Sequence, residues 1–71
     1  MAKTEPTIQL DNFMKLTGLV ATGGQAKLVI QDGEVMVNGV VETRRKKKLK
    51  HGDKITFDGE TLMVEFEESA E

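Results

Sequence analysis

Two dipeptides constrain this chain more than any other feature. Asn38-Gly39 and Asp58-Gly59 are residue pairs that suit a two-residue hairpin turn, whose central positions need a positive φ that Asn, Asp and Gly tolerate best. β-forming residues flank both. Val35-Met36-Val37 leads into the first and Val40-Val41 returns from it. Ile55-Thr56-Phe57 leads into the second and residues 62–66 return. With Asp58-Gly59 as the whole loop, Ile55 faces Leu62 and Phe57 faces Glu60. Side chains alternate along a strand, so Ile55, Phe57, Leu62, Val64 and Phe66 then share one face. Lys54, Thr56, Thr61, Met63 and Glu65 take the other, wet face. The first hairpin divides less cleanly: Val35, Val37 and Val40 fall on one side, Met36 and Val41 on the other.

A sheet with one apolar face needs a cover. The preceding residues offer two short helices. Thr7-Ile8-Gln9-Leu10 alternates and reads as an edge strand or a lead-in. Asp11 is placed to cap the first helix. Leu10, Phe13 and Met14 recur at helical spacing, with Thr17 as a weaker fourth, and Gly18 suits the left-handed residue that ends a helix. Thr22 is placed to cap the second helix, which Gly23 and Gly24 open. Ala26, Val29 and Ile30 give its buried stripe, Lys27 and Gln31 lie one turn apart on another face, and Asp32-Gly33 ends it. Helices of about two turns do not persist alone, so each must pack on something apolar. The fold class predicted is α+β, with two short helices packed on a small, mostly antiparallel sheet.

At 71 residues the chain is one small domain, too short for a substrate-enclosing core with a lid. The expected limits are a flexible N-terminal tail over 1–7, a folded domain over 8–66 and an acidic C-terminal tail over 67–71. There is no Cys and a single His, His51, which excludes disulfides, thiolate metal sites, cysteine nucleophiles and His-rich metal sites. No nucleophile–base pair assembles around His51, so no catalysis, cofactor or small-molecule substrate is expected. His51-Gly52-Asp53 reads as a turn. No segment reaches the roughly 18 apolar residues of a membrane span, and the N-terminus lacks the apolar stretch of a signal peptide. A cytoplasmic monomer with no membrane partner is expected.

The formal net charge of −2 conceals a cancellation. Residues 44–54 hold seven basic residues and one acid, whereas residues 55–71 hold six acids and no base. Local potential decides what a polyanion meets at a surface. Arg44, Arg45, Lys46, Lys47, Lys48 and Lys50 fill six of seven successive positions. Adjacent Arg side chains offer planar forks for phosphate, and the Lys side chains add mobile point charge. An isolated run of this kind is equally a solvated surface. Here strands flank it and Leu49, its one large apolar residue, pins it to the core. That display favours anion binding, with nucleic acid the fitting anion.

Thr22-Gly23-Gly24-Gln25-Ala26-Lys27 is a second candidate, because a helix start with two glycines exposes backbone N–H groups to an anion. It lacks the spacing of a P-loop or a dinucleotide fingerprint, and taken alone it reads more readily as a plain capped helix start, with Gly permitting a tight turn between the helices. Phe13, Phe57 and Phe66 each sit in an apolar pattern, and Tyr and Trp are absent. Base stacking on the sheet is therefore not expected.

The ordered set is more specific than any piece. It runs Leu10-Asp11-Asn12-Phe13-Met14-Lys15-Leu16, then Thr22-Gly23-Gly24-Gln25-Ala26-Lys27, then Ile30-Gln31-Asp32-Gly33-Glu34-Val35-Met36-Val37-Asn38-Gly39, then Glu42-Thr43-Arg44-Arg45, and closes with Lys48-Leu49 and His51-Gly52-Asp53. This resembles the S4-type RNA-binding domain, most closely its short stand-alone bacterial members, over residues 8 to about 66. The resemblance implies the αL motif, a helix pair on a small sheet, and RNA as ligand. Matched by position, it implies contact through Lys15, Gly23, Gly24, Gln25, Lys27, Arg44, Arg45, Lys46 and Lys48. Lys47 and Lys50 join on charge alone. Two positions depart from the pattern: Gln9 stands where many S4 domains carry Arg, and Leu28 where many carry a basic residue. The helical half is thereby less cationic, and more of the binding rests on the loop.

The function expected is non-catalytic binding of structured RNA, ribosomal RNA among the candidates, by shape and charge. Two alternatives stand beside it: a module docking an acidic protein partner, and an RNA-binding accessory of a separate RNA-modifying enzyme. A small β-grasp sulfur carrier is disfavoured, because such carriers end in Gly-Gly and this sequence ends in Ser69-Ala70-Glu71.

Overall fold

The computed structural model describes residues 6–66. The elements run β1 (Ile8–Gln9), α1 (Leu10–Leu16), α2 (Gly23–Gln31), β2 (Val35–Val37), β3 (Val40–Val41), β4 (Lys48–Leu49), β5 (Lys54–Phe57) and β6 (Glu60–Met63). The segments expected as tails lie outside the described residues at 1–5 and 67–71.

Both hairpins form on the expected dipeptides. Asn38 and Gly39 have φ of 53° and 83°, and Asp58 and Gly59 have 54° and 81°, as a two-residue turn with both central residues left-handed requires. The strands β3-β2-β5-β6 make one antiparallel sheet. Ile55 pairs with Leu62 and Phe57 with Glu60, in the register the turn dictates. A second, two-stranded antiparallel sheet pairs Ile8 with Leu49 and Gln9 with Lys48. The α+β class and the antiparallel pairing agree with the expectation.

The core lies where the helices meet the sheets. Leu10, Met14, Ala26, Ile30, Val35, Leu49 and Ile55 are wholly buried, with Val64 nearly so. Phe57, Leu62 and Phe66 pack against this cluster half-buried. The second helix begins as expected: Thr22 Oγ1 accepts the Gln25 N–H at 3.1 Å. Gln25 Oε1 in turn accepts the Ala21 N–H at 2.9 Å, so two orphan donors are satisfied reciprocally, much as in a capping box.

Four expectations are corrected. Asp11 does not cap α1: the cap position is Gln9, which makes no side-chain cap bond. Asp11 sits inside the first turn and accepts the Asn12 N–H at 2.8 Å. The return strand after Asp58-Gly59 ends its regular pairing at Met63. There the Gly52 N–H bonds Val64 O while the Val64 N–H bonds Asp53 O, so two residues oppose one, and Gly52 takes a φ of +96°. This is a bulge led by a left-handed glycine. Val40 is exposed although it shares a face with buried Val35 and Val37, because β3 lies at the sheet edge, beyond the helices' cover. Thr17 is exposed at the end of α1, where its hydroxyl donates to Phe13 O at 2.8 Å.

Candidate nucleic-acid interface

The basic segment has almost no regular structure, yet it is tethered from three sides. The first tether is backbone. The Leu10 N–H donates to Lys47 O at 2.8 Å and the Asp11 N–H to Arg45 O at 3.0 Å. These are orphan donors of the first turn of α1, which ordinarily need a side-chain cap or water. Here the loop's own carbonyls satisfy them. The second tether is Leu49, wholly buried in β4. The third joins the loop to the first hairpin: Asn38 Nδ2 donates to Asp53 Oδ1 at 3.2 Å, and Asn38 Oδ1 accepts the Lys54 N–H at 3.0 Å. Asp53 Oδ2 also accepts the Lys50 N–H at 3.0 Å. That backbone bond, with Asn38 adding to it against a small burial penalty, holds the Asp53 carboxyl below the usual carboxylate range.

The cations of the loop are not equivalent. Arg44 is engaged by Glu42: Nε donates to Oε2 at 2.9 Å and Nη2 to Oε1 at 3.2 Å. The Arg44 backbone N–H adds a third bond to Oε2 at 3.0 Å. The guanidinium contact holds the Glu42 carboxyl below its ordinary range despite partial burial. Lys46 Nζ lies 3.5 Å from Asp11 Oδ2, a buried carboxylate, and donates to Gln9 Oε1 at 3.5 Å. Gln9 is thus a partner of the loop.

Two grooves border the loop. One, about 730 Å3 in volume, is lined by Gln31, Thr43, Arg44, Arg45, Lys46, Lys47 and Lys48. The other, about 310 Å3, is lined by Val37, Asn38, Val40, Glu42, Lys47, Lys48, Lys50 and Asp53. The first holds five cations and no acid; the second mixes three lysines with two carboxylates.

Of the helical candidates, Lys27 and Lys15 are linked to the first groove through a neighbour on their own helix, and Gly23, Gly24 and Gln25 stand at the other end of α2 from Gln31. Lys27 precedes Gln31, a lining residue, by one turn on the same face of α2. Lys15 follows Asp11, the partner of Lys46, by one turn on the same face of α1. Gly23 and Gly24 stand in the first turn of α2. The Gln25 side-chain oxygen is committed to Ala21. Lys50 lines only the second groove of the two.

Acids collect at the end of the main sheet away from Asn38 and Lys54. Val35 pairs with Phe57 and Val37 with Ile55, so Glu34 and Asp58 lie at one end and Asn38 and Lys54 at the other. The Asp32 carboxylate can accept a hydrogen bond from protonated Glu34, and with burial and the charges of Asp32 and Asp58 this raises the Glu34 carboxyl above its ordinary range.

Sequence reasoning missed Glu42, Asp11, Gln9, Asn38 and Asp53 as the residues that hold the basic loop. Glu42 carried a local signal, two residues from Arg44. Asp53 also acts locally, on the Lys50 N–H three residues away, whereas Asp11, Gln9 and Asn38 act across 15 or more residues of chain, and spacing carries no trace of that.

A family model described as the S4 domain matches residues 2–65. The chain belongs to the S4 domain family. This S4 domain is 39% identical over 59 residues to "Putative RNA-binding protein YbcJ" of Escherichia coli (strain K12), covering 83% of this chain and 84% of YbcJ. It is 38% identical over 52 residues to "Probable ribosome maturation protein RlbA" of Bacillus subtilis (strain 168), covering 73% of each. The solution structure of YbcJ, described as revealing an αL motif involved in RNA binding, superposes with a TM-score of 0.65 at 35% identity. That match covers 93% of this chain and 82% of YbcJ. The S4 domain assignment and the αL architecture therefore stand on sequence and fold together. Among the described residues, no helix is long and apolar enough to cross a membrane.

Proposed function

We propose that this S4 domain binds structured RNA, ribosomal RNA in particular, and performs no chemistry on it. The observation that carries the reading is the groove lined by the five successive cations of residues 44–48, on a loop whose backbone is bonded to α1. A preformed cationic groove captures a polyanion without first paying to order the loop. In this reading Arg45, Lys46, Lys47 and Lys48 neutralise phosphates in the groove. Lys15 and Lys27 extend the contact along the helices, and Lys50 adds charge from the second groove. Arg44 and Gln25 border the bound chain. Gly23 and Gly24 let the backbone come close: a Cβ at Gly23 meets nothing within 4 Å, and one at Gly24 only Thr22 Oγ1 at 3.9 Å. Packing inside the protein thus does not require either glycine, while an approaching phosphate chain would use both. Asp32 and Glu34 stand beside Gln31 at the margin of the groove, where they repel RNA and set the docking orientation. The names of YbcJ and RlbA point to RNA binding and to ribosome maturation for those relatives, which favours ribosomal RNA here.

The test is titration of fragments of 16S and 23S ribosomal RNA at several salt concentrations. With four to six phosphate contacts, log affinity should fall against log salt with a slope of roughly −3 to −5. Absence of binding at low salt, or binding unchanged in the Arg45→Ala, Lys47→Ala, Lys48→Ala triple variant, overturns the reading.

A further inference from the structure

We propose that Arg44, held by Glu42, reads an unpaired guanine in the bound RNA rather than gripping a phosphate. The inference rests on the RNA-binding reading and adds a base preference to it. A guanidinium carries five N–H donors in a rigid plane. Glu42 takes the side edge, formed by Nε–H and one hydrogen on Nη2. The end edge, one hydrogen each on Nη1 and Nη2 pointing parallel, makes no bond among the described residues. Glu42 is itself fixed. Its backbone N–H donates to Val35 O at 2.9 Å, its Oε2 also accepts the Arg44 backbone N–H, and its side chain is 13% exposed against 71% for Arg44. Arg44 therefore projects from the surface with its orientation already set.

Charge decides what that free edge suits. Glu42 remains ionised, so it offsets the Arg44 charge at contact distance and leaves the pair a weak attractor for phosphate. The two parallel donors remain. Guanine offers N7 and O6 as two neutral acceptors matched to such a fork, while adenine replaces O6 with a donor. In a paired A-form helix that edge lies in a deep, narrow groove, so the guanine must be looped out or bulged. Arg45, Lys47 and Lys48 line the same groove as Arg44 and supply the phosphate attraction that brings the base within reach.

The experiment uses the full chain and a pool of RNA hairpins with a fully randomised six-nucleotide loop. Retained loops are sequenced and the salt slope of selected hairpins is measured. The wild type should enrich guanine at one loop position or more, with about tenfold weaker binding when that guanine becomes adenine. Arg44→Ala should abolish the enrichment and leave the salt slope unchanged. Glu42→Gln, which keeps size and frees the Arg44 charge, should narrow the guanine preference and steepen the slope by about one. Lys48→Ala should keep the preference and make the slope shallower by about one. The base reading is overturned, with RNA binding intact, if the wild type enriches no base or one other than guanine. It also falls if Arg44→Ala weakens all loops alike and makes the slope shallower by one. A wild type that retains no hairpin at low salt overturns both readings.

Discussion

The turns at Asn38-Gly39 and Asp58-Gly59 have nearly the same backbone, with first residues at φ of 53° and 54° and glycines at 83° and 81°. Their side chains serve different ends of the molecule. Asn38 donates to Asp53 and accepts from Lys54, tying its hairpin to the basic loop. Asp58 stands among acids, where its charge helps raise the Glu34 carboxyl. An amide can give and accept at once, whereas a carboxylate at position 38 would face Asp53 with like charge and no donor. Backbone conformation thus selects the pair Asn/Asp-Gly, and the choice between them follows from what each turn must fasten to. The irregular basic loop is the densely tethered one, and among the described residues the turn at Asp58-Gly59 carries no comparable side-chain fastening.

That contrast can be broken most severely at Leu49. Leu49→Ala removes a wholly buried side chain from the basic end and should cost about 2–5 kcal/mol in chemical denaturation, enough to threaten the fold of so short a chain. A cost below about 1 kcal/mol would mean that the loop is not anchored through the core. Next come the matched variants Asn38→Gly and Asp58→Gly. Both relieve positive φ equally, so their difference isolates the side-chain tether. Asn38→Gly should cost about 1–2 kcal/mol and Asp58→Gly less than about 0.5 kcal/mol. Equal melting shifts would refute the distinction.

Acid should move the two ends in opposite directions. Asp53 and Glu42 have lowered folded pKa values, so their stabilisation is complete above the ordinary values of 3.8 and 4.5 and is lost as pH falls through the lower folded ones. Glu34 is raised, so its cost is complete above its folded value and disappears as pH falls below 4.5. Asp53→Asn should flatten the acid-induced loss of stability, measured by thermal melts between pH 6 and pH 2. The smallest effect is expected from Asp58→Asn, a slight gain in melting temperature at neutral pH that fades on acidification. A gain that grows in acid would contradict the repulsion assigned to Asp58.

The same contrast explains what the sequence disclosed. Register across Asp58-Gly59 was legible because a two-residue turn leaves only one pairing for Ile55 and Leu62. The start of α2 was legible because Thr22 and Gln25 are cap and partner three residues apart. The start of α1 was misread because its amide acceptors, Lys47 O and Arg45 O, are distant in the chain. Asp11, the local candidate for a cap, lies inside the first turn, where it accepts the Asn12 N–H and faces Lys46. The basic loop was visible as charge, but its internal inequality was not. Which cation is free and which is held depends on Glu42, Asp11 and Gln9, and only the first of these lies close enough in sequence to suggest a partner. Val40 misled for another reason: alternation assigns a face, while burial also needs something above it.

The bonds from Leu10 and Asp11 to the loop carbonyls have a consequence in time. An amide hydrogen exchanges with solvent only when its bond opens. The hydrogens on Leu10 and Asp11 are therefore released when the loop lifts from α1, whatever the rest of that helix is doing. Two protons near one end of the chain keep a clock for a segment more than thirty residues away. A partner seated on the loop would slow that clock without touching either residue.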